Sequence, residues 1–284
     1  MEPDATLDDL ATRWRDALAS WAIPPRILDA APESPWYQPP ALFKAPNASG
    51  DSPPSPATQR ALDLLGSGGS LLDVGCGGGR SSIPLAGAAR DVHGVDANPA
   101  MLATFAADWE RRSPATPLHT YEGDWPTIAG AVPRVDVVIC HHVAYNVADI
   151  VPFLRALAEH ADRGVVIELT GHHPMSPLNP LWKHFWDLDR PTEPSADLLV
   201  RIVETLGYEP TVERSRRPSR PAAKDGHDRA DRVALVRRRL CLGAEHDEEL
   251  AALLGDEPME SSDELVAISW TSTARREASS PARD

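Results

Sequence analysis

Apolar residues recur at helical spacing between residues 5 and 22, where Leu7, Leu10, Ala11, Trp14, Leu18 and Trp21 are separated by acids and arginines; the pattern predicts one amphipathic helix. The stretch IPPRILDAAPESPWYQPPALF follows, and its prolines forbid a long helix. SGDSPPSPATQ then reads as a linker into a short helix over 57–65. Beyond it the period changes. Short β-rich runs such as LLDV, VDVVIC and GVVIEL alternate with helical patterns, which predicts strands near 70–75, 91–95, 117–121, 135–140 and 164–169, with helices near 80–88, 98–111 and 148–160. Alternation of this kind implies a mainly parallel sheet covered by helices on both faces.

Past residue 172 the pattern loosens. HPMSPLNPLWKHFWDLDRPTEP is broken by prolines, SADLLVRIVETLG is a helix closed by glycine, and strands are expected near 208–214 and 263–271. A polar, arginine-rich segment and a helical pair near 229–240 and 246–254 lie between those two strands, and the tail ARREASSPARD has a disordered composition. The organisation expected is therefore an extension over 1–56 that is helical and proline-rich and a candidate lid, a core domain over 57–274 with a helical insertion at about 222–258, and a disordered tail over 275–284.

Composition narrows the partners. A chain of 284 residues with 42% hydrophobic residues can hold one sizeable core, and its formal charge of −14 repels nucleic acid and anionic membranes as a whole. Three cysteines, Cys76, Cys140 and Cys241, show no disulfide or CxxC spacing and suit a reducing compartment. The acidic start and the lack of a long apolar run point to a cytoplasmic protein.

The chemistry centres on LLDVGCGGGR, residues 71–80, a buried strand that runs into Gly75, Gly77, Gly78 and Gly79. So bare a turn lets backbone approach a ligand closely, and a nucleotide is the usual guest. Arg80 stands where a dinucleotide fingerprint needs its last glycine, and the Gly-Lys-Ser/Thr ending of a phosphate loop is missing. Asp73, two residues before the turn, repels a pyrophosphate and welcomes a ligand that carries ammonium and sulfonium charges.

LLDVGCGGGR resembles the first motif of class I S-adenosylmethionine-dependent methyltransferases, and the likeness continues in order through VHGVDANPAML, YEGDW and VDVVICHHVAYNV over about residues 57–170. The resemblance implies a Rossmann-like, doubly wound, seven-stranded, mainly parallel sheet with helices on both faces, including an antiparallel partner among the last strands. It also implies that S-adenosyl-L-methionine is the cofactor, leaving S-adenosyl-L-homocysteine as product. Asp73, Gly75, Cys76 and Gly77 would line the methionyl side, and Asp96 would accept from both ribose hydroxyls beside Ala97. Asp124 would accept from the adenine amino group, the Gly123–Trp125 backbone and the indole would pack beside the ring, and Cys140 and His141 would meet the methionyl end.

Methyl transfer from a sulfonium requires a nucleophile held in line and water excluded. A hydroxyl or acidic carbon also needs a base, and the pairs His141–His142 and His172–His173 fall at the right edge with Glu168 between them and Tyr145 close by. His142 is the first candidate to touch the acceptor, with His141 and Tyr145 next. Loop histidines that only satisfy backbone groups are the plainer alternative. Two histidines and Glu168 could also form a facial triad, but adjacent residues of an extended chain point to opposite sides, so no metal is expected. Trp36, Tyr37, Phe43, Trp182, Phe185 and Trp186 offer aromatic surface to roof a small substrate.

A small-molecule methyltransferase acting on N, O or C is thus the leading expectation, with a small-molecule substrate as partner. Two others stand beside it: an RNA or protein methyltransferase using Arg214, Arg216, Arg217 and Arg220 with Arg237, Arg238 and Arg239, and a non-catalytic binder of the cofactor.

Overall fold

A computed structural model describes residues 5–36, 54–112, 115–216, 227–255 and 264–272. In chain order the elements are α1 (Leu7–Ala19), α2 (Pro25–Leu28), α3 (Pro56–Leu65), β1 (Gly69–Val74), β2 (Ala89–Asp96), α4 (Pro99–Arg112), β3 (Leu118–Glu122), β4 (Val135–His141), α5 (Ile150–His160), β5 (Ala161–Thr170), α6 (Asn179–Trp186), α7 (Ala196–Thr205), β6 (Thr211–Arg216), α8 (His227–Arg239), α9 (Asp247–Leu254) and β7 (Glu264–Thr271).

The strands form one seven-stranded sheet in the order β3-β2-β1-β4-β5-β7-β6. Only β7 runs against the rest, pairing antiparallel with both β5 and β6. Alternate side chains feed two cores. Leu72 and Val74 of β1, Val138 and Cys140 of β4, and Ile167 of β5 face the cluster under α1, α5 and α7. Leu71, Val137, Ile139 and Val166 face the opposite cluster under α3 and α4. Because every residue of β1 is buried, a continuous apolar run rather than an alternating one is what the sequence carries there.

Helix ends are specified locally. Thr6 caps α1 in a reciprocal box: its hydroxyl accepts from the Asp9 N–H at 3.2 Å, and the Asp9 carboxylate accepts from the Thr6 N–H at 3.0 Å. Ser55 and Ser195 cap α3 and α7 in the same sense. The buried face of α1 carries Leu10 and Trp14, and the Trp14 indole donates to the Val147 carbonyl at 2.8 Å, which fastens the N-terminal helix to the loop after β4.

Two expectations are corrected. Residues 80–88 form turns with a single 3-10 turn at Ile83–Leu85, because Pro84 removes a donor and Ser82 spends its hydroxyl on Asp73. Conversely, the proline-broken stretch after β5 contains α6, since its Pro180 sits in the first turn, where a missing N–H is harmless.

The aromatic roof is corrected too. Trp182 is 3% exposed, and with Ile23, Ile27, Leu181, Val236, Leu240 and Leu250 it forms a third cluster against which Phe185 and Trp186 pack. Residues from the N-terminal extension, α6, α8 and α9 build this small core, because apolar rings that find a neighbouring apolar face are buried there. Trp36 is exposed, and Tyr37 and Phe43 lie outside the described residues.

The arginines resolve in the same way. Arg237 pairs with Asp247 at 2.7 Å and Glu33 at 3.5 Å, Arg238 pairs with Glu33 at 2.5 Å, and Arg239 donates to the Pro35 carbonyl at 2.6 Å. Arg214 pairs with Asp197 and Glu264. Arg216 ends β6, while Arg217, Arg220 and the tail over 275–284 lie outside the described residues. No helix among the described residues is long and apolar enough to cross a membrane.

Candidate active site

The strand order reverses between β1 and β4, which opens a crevice at the carboxyl ends of the strands. The glycine turn occupies that edge. Gly75 and Cys76 both donate backbone N–H to the Val95 carbonyl of β2, at 2.8 and 3.0 Å, so the turn is tied to the neighbouring strand. Gly75, Gly77 and Gly79 have φ of 74°, 50° and 80°, a region side chains disfavour. A Cβ at Gly75 would run into Val143, and one at Gly79 into the Phe105 ring.

At the end of β2, Asp96 faces this turn. Its Oδ2 accepts from the Gly77 N–H at 2.8 Å, and its Oδ1 from the Asn98 N–H at 2.8 Å. Each oxygen keeps a free lone pair, which suits a diol beside bare main chain. Ala97 is exposed next to it. Asp73 is deeper than the sequence implies: it is 1% exposed and its Oδ2 accepts from the Ser82 hydroxyl, a partner no sequence pattern flags. Burial raises its pKa to about 7, with Asp96 adding to the effect and Ser82 opposing it. The thiols of Cys76 and Cys140 are buried and pushed up by burial, hence inert.

After β3 the Gly123 N–H donates to the Asp96 carbonyl at 3.1 Å, and Asp124 is exposed. Trp125 differs from the expectation. Its indole is 8% exposed and meets His160, at the far end of α5, edge-on at 4.8 Å. It therefore belongs to the core beneath α5, not to the exposed rim of the crevice.

The histidines gather where β4 and β5 end. His141 pairs in register with Glu168, and both are buried, at 9% and 8% exposure. The strand stops at His141, and His142 takes φ 60°, so the alternation expected of an extended chain fails. His142 instead bends over Glu168: its N–H donates to the Glu168 carbonyl at 2.7 Å, and its Nε2 lies 3.5 Å from Glu168 Oε1. Burial lowers the pKa of His141 to about 4, against the pull of Glu168. Burial works the other way on Glu168, but His142 and His141, helped by the Ser55 hydroxyl, outweigh it and hold the carboxyl well below its ordinary range. Among the described residues no group of three His, Cys, Asp or Glu side chains converges as a metal ion requires.

Tyr145 lies 6.4 Å from the His142 ring and 5.9 Å, edge-on, from His173. Trp21 stacks on His173 at 3.9 Å and donates its indole N–H to the Glu193 carbonyl at 2.5 Å. Arg190 secures this corner: it donates to the Trp21 and Ala22 carbonyls and lies 5.1 and 5.0 Å from the Trp21 and Trp182 ring centroids. Burial and Arg190 lower the His173 pKa to about 4. His172 is exposed and contributes its carbonyl to Thr170. Trp21 and Arg190 were not legible as site neighbours; helical spacing placed Trp21 in a helix that ends two residues earlier, and Arg190 follows no period.

A sheet of this order with one reversed strand, and a glycine turn at the switch point facing an acid on the next strand, is a Rossmann-like nucleotide-binding arrangement. Residues 71–164 match the family described as a methyltransferase domain. A stretch of 101 residues is 35% identical to a ubiquinone biosynthesis O-methyltransferase of Azorhizobium caulinodans, covering 35% of this chain and 39% of that protein. Another of 68 residues is 32% identical to a "probable cobalt-precorrin-6B C(15)-methyltransferase (decarboxylating)" of Methanothermobacter thermautotrophicus, covering 24% and 35%. The matches thus span well under half the length of these curated relatives. Among solved structures, the YcgJ protein of Bacillus subtilis shares the fold with a TM-score of 0.51 at 14% identity, covering 78% of this chain and 99% of that one. Over residues 71–164 the chain thus matches a methyltransferase domain, set in a fold that the YcgJ protein shares.

Proposed function

We propose that the protein transfers a methyl group from S-adenosylmethionine to a small-molecule acceptor. The carrying observation is the 2.8 Å contact between the Gly77 N–H and Asp96 Oδ2, which places a two-oxygen acceptor against side-chain-free backbone at the strand-order switch. The bound donor supplies an electrophilic methyl; the chain binds, orients and shields it. Asp96 holds the ribose with Ala97 at its side, and Gly123, Asp124 and the Trp125 backbone bound the adenine. Gly75, Cys76, Gly77, Cys140 and His141 border the methionyl end, and Asp73 orders the turn through Ser82. The acceptor sits between His142, Tyr145, His173 and Trp21, with Trp21 of the N-terminal extension closing one wall, while Ile23 and Ile27 pack against α8 and α9.

The ion-paired state of Arg237 and Arg238 and the charge of −14 favour this reading over an RNA methyltransferase. The test is calorimetry with S-adenosylhomocysteine, then incubation of the protein with a small-molecule extract and methyl-labelled donor. Binding with label in a small molecule is the expected result. No binding at millimolar product overturns the proposal, and binding without transfer leaves a non-catalytic binder.

A further inference from the structure

Two buried polar atoms at the carboxyl edge of the sheet lack a protein partner: Glu168 Oε2 and His141 Nε2. A carboxylate only 8% exposed needs hydrogen-bond donors around it. The His142 imidazole is one such donor, and the backbone is bent to bring it close. His142 holds the left-handed φ of 60°, which costs a non-glycine residue about 1 kcal/mol, and so lays its ring 3.5 Å from Glu168 Oε1 while its N–H bonds the Glu168 carbonyl. A residue hydrogen-bonded through its backbone to one glutamate, with its ring 3.5 Å from that glutamate's carboxylate and its backbone strained, is placed to keep one imidazole nitrogen towards the acid and offer the other.

We propose that Glu168 is a positioning residue that holds His142 through Nε2, leaving Nδ1 to take the proton of an acceptor that must shed one, a hydroxyl or an acidic carbon, so that the reaction is O- or C-methylation and not N-methylation. The inference rests on the methyltransferase reading above. In the balanced step the acceptor O–H or C–H bond breaks and its proton passes to Nδ1; the electron pair left on that atom forms its bond to the methyl carbon; the S–CH3 bond of the donor breaks with its pair left on sulfur. The imidazolium so formed faces the ionised carboxylate of Glu168. A neutral amine acceptor needs no such pair, because its lone pair attacks before any proton leaves. The half-exposed His142 ring, at 34%, can reach an acceptor, whereas buried His141 cannot.

Three measurements test this on the full chain. First, label from methyl-labelled donor is traced into an extract and the linkage of the product read by NMR: an O–CH3 or C–CH3 product is expected, and an N–CH3 product overturns the inference while leaving methyl transfer intact. Second, with that purified acceptor, Glu168→Gln should lower kcat about a hundredfold, with KM and S-adenosylhomocysteine affinity within about threefold of the parent; unchanged kcat, or a loss carried by KM, overturns it. Third, in the free protein, two-bond proton–nitrogen spectra should show the His142 ring protonated on Nε2 alone, and both tautomers in Glu168→Leu; identical spectra overturn the positioning role whatever the activity. Failure of all transfer together with lost product binding would instead sink the methyltransferase reading.

Discussion

Asp73 is the residue whose protonation reports most directly on folding. Its pKa in the folded chain is raised to about 7 by burial. A folded acid that holds its proton more tightly than the unfolded chain stabilises the fold fully below the unfolded carboxylate pKa and loses that contribution as pH climbs through 7. Asp73→Asn should therefore gain stability relative to the parent between pH 5 and pH 8, by about 3 kcal/mol, measured by urea unfolding at both values. Asp96→Ala should weaken S-adenosylhomocysteine binding about 10- to 100-fold in calorimetry, through loss of hydrogen bonds to the two ribose hydroxyls, while His142→Ala should leave it unchanged and slow turnover. The placement of the glycine turn and of Asp96 at adjacent strand ends was legible because each lies at a fixed distance from an apolar run. Ser82, Trp21 and Arg190 were not, since their partners are set by how distant segments meet, and Trp125 was misplaced because a rim and a core indole read alike in a sequence.

At the scale of elements, α1 shows how an extension is made part of a core. Trp14 is fully buried and bonded to the Val147 carbonyl, so Trp14→Ala should cost about 3–5 kcal/mol in denaturant unfolding, whereas Thr6→Ala, which opens the capping box, should cost about 1. Near-equal losses would mean that the helix docks more loosely than its packing requires. All seven strands lie close to where the sequence puts them; β4 and β5 carry the near-continuous apolar runs of buried parallel strands, whereas β3 and β6 are largely exposed and are marked by their β-prone residues and flanking turns. The helix expected at 80–88 failed because local composition cannot show that Ser82 is claimed by a carboxylate on another strand. The antiparallel placement of β7 carries no local signature and came only through the family likeness.

For the molecule as a whole, His141 and His173 oppose Asp73. Both are held near pKa 4, chiefly by burial, so they stabilise the fold above the ordinary histidine pKa and lose that contribution as pH falls from 6.5 towards 4. The melting temperature of the parent should drop across that window more steeply than that of His173→Phe, which keeps an aromatic ring against Trp21 but cannot take a proton. Parallel slopes would mean that His173 is hydrated. The strand order adds a constraint in time. Because β7 fills the gap between β5 and β6, neither of those two strands has a neighbour on that side until Glu264–Thr271 has emerged from the ribosome. The first five strands can assemble while synthesis continues, but the nascent sheet keeps a raw edge along Gly164–Thr170 until β7 has been made, and a chaperone that shields such edges would be needed most in that interval.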